Sequence, residues 1–132
     1  MSFVTAQDAE DAFYDAIEAG DARAMAGVWE DAPDIACLLP MAPLVMGPEV
    51  MTLWRTLFDQ VGAFDIQVRH LAWIECAETA IHLVEERTQS QPGAQPPPPI
   101  YGTNIYRRGP DGWHLILHQN APTPPPPGTP GF

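Results

Sequence analysis

The chain has 132 residues, a formal net charge of −11 and 45% hydrophobic residues. This length is enough for one packed domain but not for separate cofactor and substrate domains. The six cationic residues are all arginines, and 17 residues are acidic. The negative net charge argues against binding to nucleic acid or to an anionic membrane surface.

Missing residues and motifs exclude several kinds of chemistry. Without lysine there is no Schiff-base catalysis and no Walker A phosphate loop. Neither the dinucleotide pattern GxGxxG nor the zinc pattern HExxH occurs. His114 and His118 are four residues apart on a predicted strand, a span of about 13 Å, which is too long for a shared ion. We therefore predict neither a cofactor nor a metal site.

The N-terminal sequence and the cysteines indicate the compartment. The first residues, MSFVTAQD, lack the basic and apolar regions of a secretion signal. No segment approaches the roughly 20 apolar residues that a membrane span requires. Cys37 and Cys76 lack CxxC or metal-ligand spacing, and both are expected to be reduced thiols. We therefore expect a cytoplasmic protein.

Two helices are predicted at the start of the chain. Thr5 and Asp8 form a near capping box, and apolar residues then recur at helical spacing as far as Gly20. Asp21 can cap a second helix that carries its own apolar stripe as far as Trp29. The spacing therefore predicts an αα-hairpin.

Strands and a third helix follow in the sequence. Residues 34–40 form a short apolar run that predicts a strand, and a second short strand is expected at 44–46. Pro48 occupies a first helical position and begins the third helix. Residues 64–75 alternate, and the face that carries the apolar set, including Ala72 and Ile74, is predicted to be covered. Residues 79–88 are predicted to be their antiparallel partner.

Two segments are rich in proline. Residues 91–99 contain five prolines and one glycine, which predicts a protruding loop and not a central strand. The tail at 123–132 is expected to be an extended and mostly disordered segment. The alternative for the tail is a docking peptide for a groove on another protein.

The segment from 100 to 122 carries the strongest local signal. Two runs rich in β-branched and aromatic residues flank the turn sequence GPDG at 109–112, which predicts a long hairpin. Together with TNIYRR at 103–108, DGW at 111–113 and His118 four residues before a proline, this segment resembles the closing hairpin of SnoaL-like domains in the nuclear transport factor 2-like superfamily.

The resemblance implies an α+β fold in which a curved antiparallel sheet wraps around three N-terminal helices as a cone. The predicted order of elements, with four long strands at the end, agrees with this fold. The resemblance also implies a pocket at the open end of the cone and a homodimer that pairs through the outer face of the sheet. We expect one domain at 1–122 and a Pro-rich tail at 123–132.

Two enzyme groups of the superfamily can be compared residue by residue. The resemblance to ketosteroid isomerases places their oxyanion tyrosine on or beside Phe13 and Tyr14, their aspartate base near Cys37, and their protonated acid on Asn104. Because no carboxylate is present at the base position, that isomerase reaction is not expected. SnoaL-type cyclases use a histidine and an aspartate, and here His118 lies where the family often carries histidine.

Strand pairing gives an independent catalytic prediction. If residues 76–79 form the turn of a tight hairpin, His70 faces Glu85 on the covered side of the sheet. The carboxylate would raise the pKa of the imidazole and give an acid/base pair, with Asn104 as an oxyanion donor. A shift of one residue would turn Glu85 outwards and bring Glu86 in. A structural His–Glu hydrogen bond is the alternative.

Two functions remain open from the sequence. One is a cofactor-independent cyclase-, isomerase- or hydrolase-like enzyme that acts on a small hydrophobic molecule through His70, Glu85 and Asn104. The other is a non-catalytic dimeric binding or association domain. In the pocket, five side chains are predicted to bind the ligand, namely Tyr14, Trp29, Trp54, Tyr106 and His118.

Overall fold

The computed structural model describes residues 2–88, 93, 97–123 and 128. This part of the chain contains three helices and six strands. The helices are α1 (Ala6–Ala19), α2 (Ala22–Val28) and α3 (Glu49–Val61). The strands are β1 (Ala36–Leu38), β2 (Val45–Met46), β3 (Ile66–Glu75), β4 (Thr79–Thr88), β5 (Ile100–Gly109) and β6 (Gly112–Pro122).

The first two helices begin at the predicted caps. The Asp8 backbone N–H donates to Thr5 Oγ1 at 3.0 Å, and the Ala24 N–H donates to Asp21 Oδ1 at 3.0 Å. Gly20 ends α1 in the left-handed region at φ 63°, a conformation that glycine adopts without steric cost. The predicted αα-hairpin is therefore confirmed.

The six strands form one sheet in the order β2-β1-β6-β5-β4-β3. Neighbouring strands are antiparallel except for β1, which pairs in parallel with β6. The sheet is curved and packs on the helices through one face, so the predicted α+β cone is confirmed. Most of the predicted tail at 123–132 and most of the predicted loop at 91–99 lie outside the described residues.

The core lies between α1 to α3 and the covered face of the sheet. Phe13 is completely buried and packs edge-on against Trp54, with ring centroids 5.6 Å apart. Val84 and Leu115 bring apolar side chains from two strands to the same layer. Burial of each such side chain contributes about 1.5–3 kcal/mol to folding.

A β-bulge at Leu71 changes the register between β3 and β4. His70 lies opposite Val84, and Ala72 lies opposite Leu83, which leaves Leu71 as an extra residue in β3. Because side chains alternate between faces along a strand, one extra residue exchanges the two faces for the part of β3 beyond it.

The bulge explains why the predicted pairing of His70 with Glu85 is wrong. Glu85 lies opposite Arg69, and its carboxylate accepts hydrogen bonds from Arg69 at 3.0 Å and Arg87 at 2.8 Å. The neighbouring carboxylate of Glu86 lies on the covered side. The structure therefore has the alternative register, in which Glu86 points inwards.

The predicted faces are also wrong at the tip of this hairpin. Ala72 and Ile74 were expected on the covered face, but Trp73 lies there, opposite His82. The Trp73 and His82 rings stack with centroids 4.6 Å apart and an interplanar angle of 10°. The bulge thus brings a half-exposed tryptophan over a buried histidine.

Candidate functional site

Glu10 of α1 lies at the centre of a buried polar network, and only 1% of the residue is exposed. Glu10 Oε2 accepts from His82 Nδ1 at 2.9 Å, from Asn104 Nδ2 at 3.1 Å and from the Tyr106 hydroxyl at 2.9 Å. Glu10 Oε1 is hydrogen-bonded to His70 Nε2. Three strands therefore converge on one helical carboxylate.

The partners of Glu10 keep it ionised. Burial alone would raise the pKa of this carboxyl, but hydrogen bonds from His82, His70 and Asn104 and the charge of His82 lower the pKa from 4.5 to about 2. Burial raises the pKa of the Tyr106 hydroxyl well above its ordinary value, and the Glu10 charge adds to this effect. Tyr106 therefore remains a hydrogen-bond donor to the carboxylate.

Asn104 connects this network to a second carboxylate. Its Nδ2 donates to the Tyr14 hydroxyl at 2.9 Å as well as to Glu10, and Tyr14 in turn donates to Glu86 Oε2 at 2.7 Å. Burial and the Glu86 charge raise the pKa of Tyr14 well above its ordinary value, so the hydroxyl keeps its proton. Asn104 Oδ1 lies 2.5 Å from His118 Nδ1.

Glu86 and His118 lie in the wall of a cavity of about 460 Å³ between α3, the segment after β1 and the sheet. Asn120 is the third polar group beside them. Most of the remaining wall is apolar and includes Ile17, Leu53, Trp54, Leu57, Phe64 and Ile100. A cavity of this size, with few polar groups in an apolar wall, is typical of sites for small molecules.

Both ring nitrogens of His118 face an amide oxygen in the structure. Asn104 and Asn120 each direct their NH₂ group towards two acceptors, so both present a carbonyl oxygen to the imidazole. Nε2 of His118 lies 3.0 Å from Asn120 Oδ1 and 3.9 Å from Glu86 Oε2. The pattern thus fits an imidazolium beside a carboxylate.

Burial opposes this charge on His118. It lowers the pKa of the imidazole, while the Glu86 charge and the Asn120 hydrogen bond act in the opposite direction. The net effect is a pKa below the ordinary value of histidine, so the site disfavours the charged imidazole. A titratable imidazole and a carboxylate therefore lie side by side in the cavity wall.

The sequence profile of the SnoaL-like domain matches residues 7–123. The chain belongs to the SnoaL-like domain family. No curated protein matches it in sequence. None of the helices in the described part of this SnoaL-like domain is both long and apolar enough to cross a membrane.

Solved structures extend the comparison of this SnoaL-like domain. It is 37% identical to a candidate calcium/calmodulin-dependent protein kinase type II association domain from Thiobacillus denitrificans, with a TM-score of 0.87 over 94% of this chain and 99% of that one. A candidate dehydratase of the nuclear transport factor 2-like family from Streptomyces avermitilis is 27% identical, with a TM-score of 0.73 over 89% and 92%. A ketosteroid isomerase-like protein from Erwinia carotovora atroseptica is 17% identical, with a TM-score of 0.68 over 90% and 94%, and shares the fold.

Two of the five predicted ligand-binding residues of the SnoaL-like domain line this cavity, namely Trp54 and His118. Tyr14 and Tyr106 lie behind its wall, in the network around the two buried carboxylates. Trp29 lines a separate groove beside α3. Binding of a ligand by any of these side chains remains a prediction.

Of the three predicted catalytic residues, two lie in the network around Glu10 and one lies on the other face of the sheet. Asn104 joins the two carboxylates, His70 contacts Glu10, and Glu85 is covered by arginines on the other face of the sheet. The structure thus brings His70 and Asn104 to one network but does not bring Glu85 to it. Their catalytic roles remain predictions.

Sequence reasoning did not single out Glu10, His82 or Asn120. Glu10 follows Ala6 by four residues and precedes Phe13 by three, which places it on the apolar stripe of the helix. His82 alternates with buried residues of β4 in the same way. The signal available in the sequence was a polar residue at the same spacing as the apolar residues of the predicted core.

Cys37, at the position that the resemblance gave to an aspartate base, is completely buried in β1 beside His118 of β6. Burial raises the pKa of its thiol to about 12. The thiol therefore stays protonated and has no nucleophilic role at neutral pH.

Proposed function

We propose that this SnoaL-like domain is a cofactor-independent enzyme that binds a small hydrophobic molecule in the cavity and catalyses an isomerase- or cyclase-like proton transfer. One observation carries the proposal, which is the placement of Glu86 and His118, 3.9 Å apart, in an otherwise largely apolar wall. An acid and a base that face the same substrate are the minimum that such a reaction requires.

Each polar group has a role that follows from its contacts. Glu86 accepts from Tyr14 and Asn120, which fix the carboxylate and leave further lone pairs for a substrate proton. His118 would share its Nε2 proton between Asn120 Oδ1 and a developing oxyanion of the substrate. Asn104 and Asn120 orient the imidazole and are positioning residues in this scheme. The apolar wall strengthens these interactions by excluding water.

The charge of the cavity restricts the substrate. Among the lining residues that the structure describes, none is a lysine or an arginine, and Glu86 carries a negative charge. A substrate carboxylate would be repelled there. The proposal therefore favours a neutral, mainly apolar carbonyl compound.

Binding and chemistry can be tested separately. We would measure binding with the neutral apolar dye N-phenyl-1-naphthylamine, and base catalysis by NMR as deuterium exchange into a panel of small cyclic ketones. Leu57→Trp fills the cavity and should abolish dye binding. Glu86→Gln should keep dye binding but lower the exchange rate by about a hundredfold or more, in the range of a general base.

Glu85→Gln is the matched control, since it makes the same change on the neighbouring residue of the other face. It should leave both dye binding and exchange unchanged. Equal exchange in Glu86→Gln and Glu85→Gln would contradict the catalytic proposal. Equal dye binding in Leu57→Trp and the wild type would contradict the ligand site.

An association domain is the second candidate function. It is supported by the 37% identity to the Thiobacillus denitrificans protein and by exposed apolar side chains on the outer face of the sheet, including Ile74, Leu83 and Tyr101. A second copy of the chain pairing through this face would cover them. Leu83→Glu should then convert a dimer into a monomer in analytical ultracentrifugation, whereas Arg87→Glu near the C-terminal end of the same strand should not.

A further inference from the structure

We propose that Glu10, His70 and His82 form a binding site for one divalent transition-metal ion, with zinc as its typical occupant. Each residue offers one ligand atom, and these three atoms lie within 4.8 Å of one another. The three residues come from α1, β3 and β4. None of the three belongs to the lining of the cavity, so the proposed metal site is separate from the proposed catalytic site.

The ligand set matches the chemistry of zinc. Two imidazole nitrogens and one carboxylate oxygen are a common zinc triad, which leaves a fourth position for water. In a tetrahedral site with bonds of about 2.1 Å, ligand atoms lie about 3.5 Å apart. The ligand atoms here are already grouped at that scale, with His82 Nδ1 2.9 Å from Glu10 Oε2. Small rotations of the two rings would open room for an ion.

Residues around the cluster hold the carboxylate in place. The Tyr106 hydroxyl and Asn104 Nδ2 both donate to Glu10 Oε2. Hydrogen bonds of this kind fix a ligating carboxylate and support metal affinity. Glu10 is ionised at neutral pH, and its negative charge would partly neutralise a divalent ion.

The other nitrogen of His82 provides an independent indication. His82 is completely buried, and its Nε2 has no hydrogen-bond partner among the described residues. While Nδ1 is hydrogen-bonded to Glu10, Nε2 is left as a buried polar atom without a partner in the described part of the chain. With a metal ion on Nδ1, the Nε2 nitrogen carries the proton and faces Glu75 Oε1, which lies 3.9 Å away. A rotation of the exposed Glu75 side chain that shortened this distance would give the carboxylate–histidine–metal arrangement typical of zinc sites.

An ion could reach this cluster from solvent. The side chain of His70 is 34% exposed, and Trp73 beside it is half-exposed. Glu75 is exposed at the same end of the hairpin. Glu10 contacts His70 and Glu75 lies near His82, so carboxylates on both sides of the cluster favour the approach of a cation.

Sequence spacing could not show this cluster. Glu10 lies 60 positions before His70 and 72 positions before His82, and no short metal motif contains such intervals. The sequence prediction of no metal site was based on short motifs and on the distance between His114 and His118. The bulge at Leu71 separates the part of β3 that brings His70 to Glu10 from the part that stacks Trp73 on His82.

The first test is a calorimetric titration of zinc chloride into the full chain, treated with EDTA and without a purification tag. We expect one ion per chain. His70→Ala removes a partly exposed ligand and should weaken binding by at least tenfold, and Glu75→Gln should weaken it by about tenfold or more. His114→Ala is the matched control, because it removes a histidine from another strand, and should bind zinc like the wild type.

A spectroscopic test locates the ion. Cobalt(II) bound to His82 should quench the fluorescence of Trp73, because the two rings are stacked. Trp73→Phe should lose this quenching and still bind one zinc ion, which also shows that the variant is folded. No heat of zinc binding in the wild type, or equal affinity in His70→Ala and the wild type, would show that the cluster is only a hydrogen-bonded structure.

Discussion

The Tyr14 hydroxyl lies 2.7 Å from Glu86 Oε2, and this bond links α1 to β4 across 72 positions of the chain. Both residues are buried. The tyrosine supplies one of the two donors that hold the carboxylate beside the cavity, and the other comes from Asn120. This hydrogen bond therefore joins α1 to the sheet at Glu86, the proposed catalytic base.

Tyr14→Phe removes this donor without changing the shape of the ring. A hydrogen bond to a buried charged group contributes about 1.5–3 kcal/mol, so we expect the free energy of unfolding in urea to fall by about 2 kcal/mol. Tyr101→Phe makes the same change on the outer face and should cost less than 0.5 kcal/mol, roughly the range of surface substitutions. Equal losses in the two variants would show that the buried bond contributes nothing specific.

Gly102 permits the approach of Glu86 to β5. A Cβ at this position would lie 2.9 Å from Val84 Cγ2 and 3.1 Å from Glu86 Oε2. Gly102→Ala should therefore lower the free energy of unfolding by about 1–3 kcal/mol, the usual range for overpacking. At Gly109 of the same strand an added Cβ has no heavy atom within 4 Å, so Gly109→Ala is the control and should be close to neutral in the same urea measurement.

Asn104→Leu tests the link between the two carboxylates. The substitution leaves Glu10, Tyr14 and His118 each without one partner in a buried site, and we expect a loss of about 3–5 kcal/mol, as for other broken buried polar networks. Thr103→Val, on the neighbouring position of the outer face, should change stability by less than about 1 kcal/mol. Thermal unfolding with a chemical-denaturation check gives both values. A neutral Asn104→Leu would show that the network does not stabilise the fold.

The pKa of Glu10 predicts an acid-sensitive contribution to stability. The folded value of about 2 lies below the ordinary 4.5, so the unfolded chain binds the proton first as the pH falls. The contribution is fully present above about pH 4.5 and is lost between pH 4.5 and 2, with a size of about 3 kcal/mol. Unfolding free energies measured across this range should show it.

Glu10→Gln should flatten that part of the pH profile, whereas Glu18→Gln, at an exposed position of the same helix, should retain it. A parallel acid limb in Glu10→Gln and the wild type would contradict the assignment to Glu10. Added zinc is omitted from these measurements so that metal binding and proton binding are not mixed.

The local signals in the sequence predicted the elements well. Thr5, Gly20 and Asp21 mark helix ends because capping depends on neighbouring backbone groups only. The GPDG turn predicted the last hairpin for the same reason. The turn between β3 and β4 also formed as expected, with the Cys76 N–H donating to the Thr79 carbonyl at 2.8 Å.

The candidate site was predicted less completely because it depends on contacts between distant elements. Glu10 reaches its partners on β3, β4 and β5 only through the packing of α1 on the sheet. No glycine or proline beside Leu71 marks the bulge in the sequence. The predicted pairing of His70 with Glu85 was therefore one residue out of register. His118 and Trp54 could be placed near the cavity because the resemblance supplied the tertiary arrangement that local patterns lack.

Because of the extra residue at Leu71, the side-chain alternation in the part of β3 next to the turn is shifted by one residue relative to the rest of the strand. Deletion of Leu71 would remove the extra residue and leave every other residue of β3 opposite its present partner, so Trp73 would stay on His82. If the present sequence paired without a bulge, Ala72 and Ile74 would instead take the places of Trp73 and Glu75. The chemistry of this corner of the protein thus depends on the strand register at one position and not only on which side chains the sequence contains.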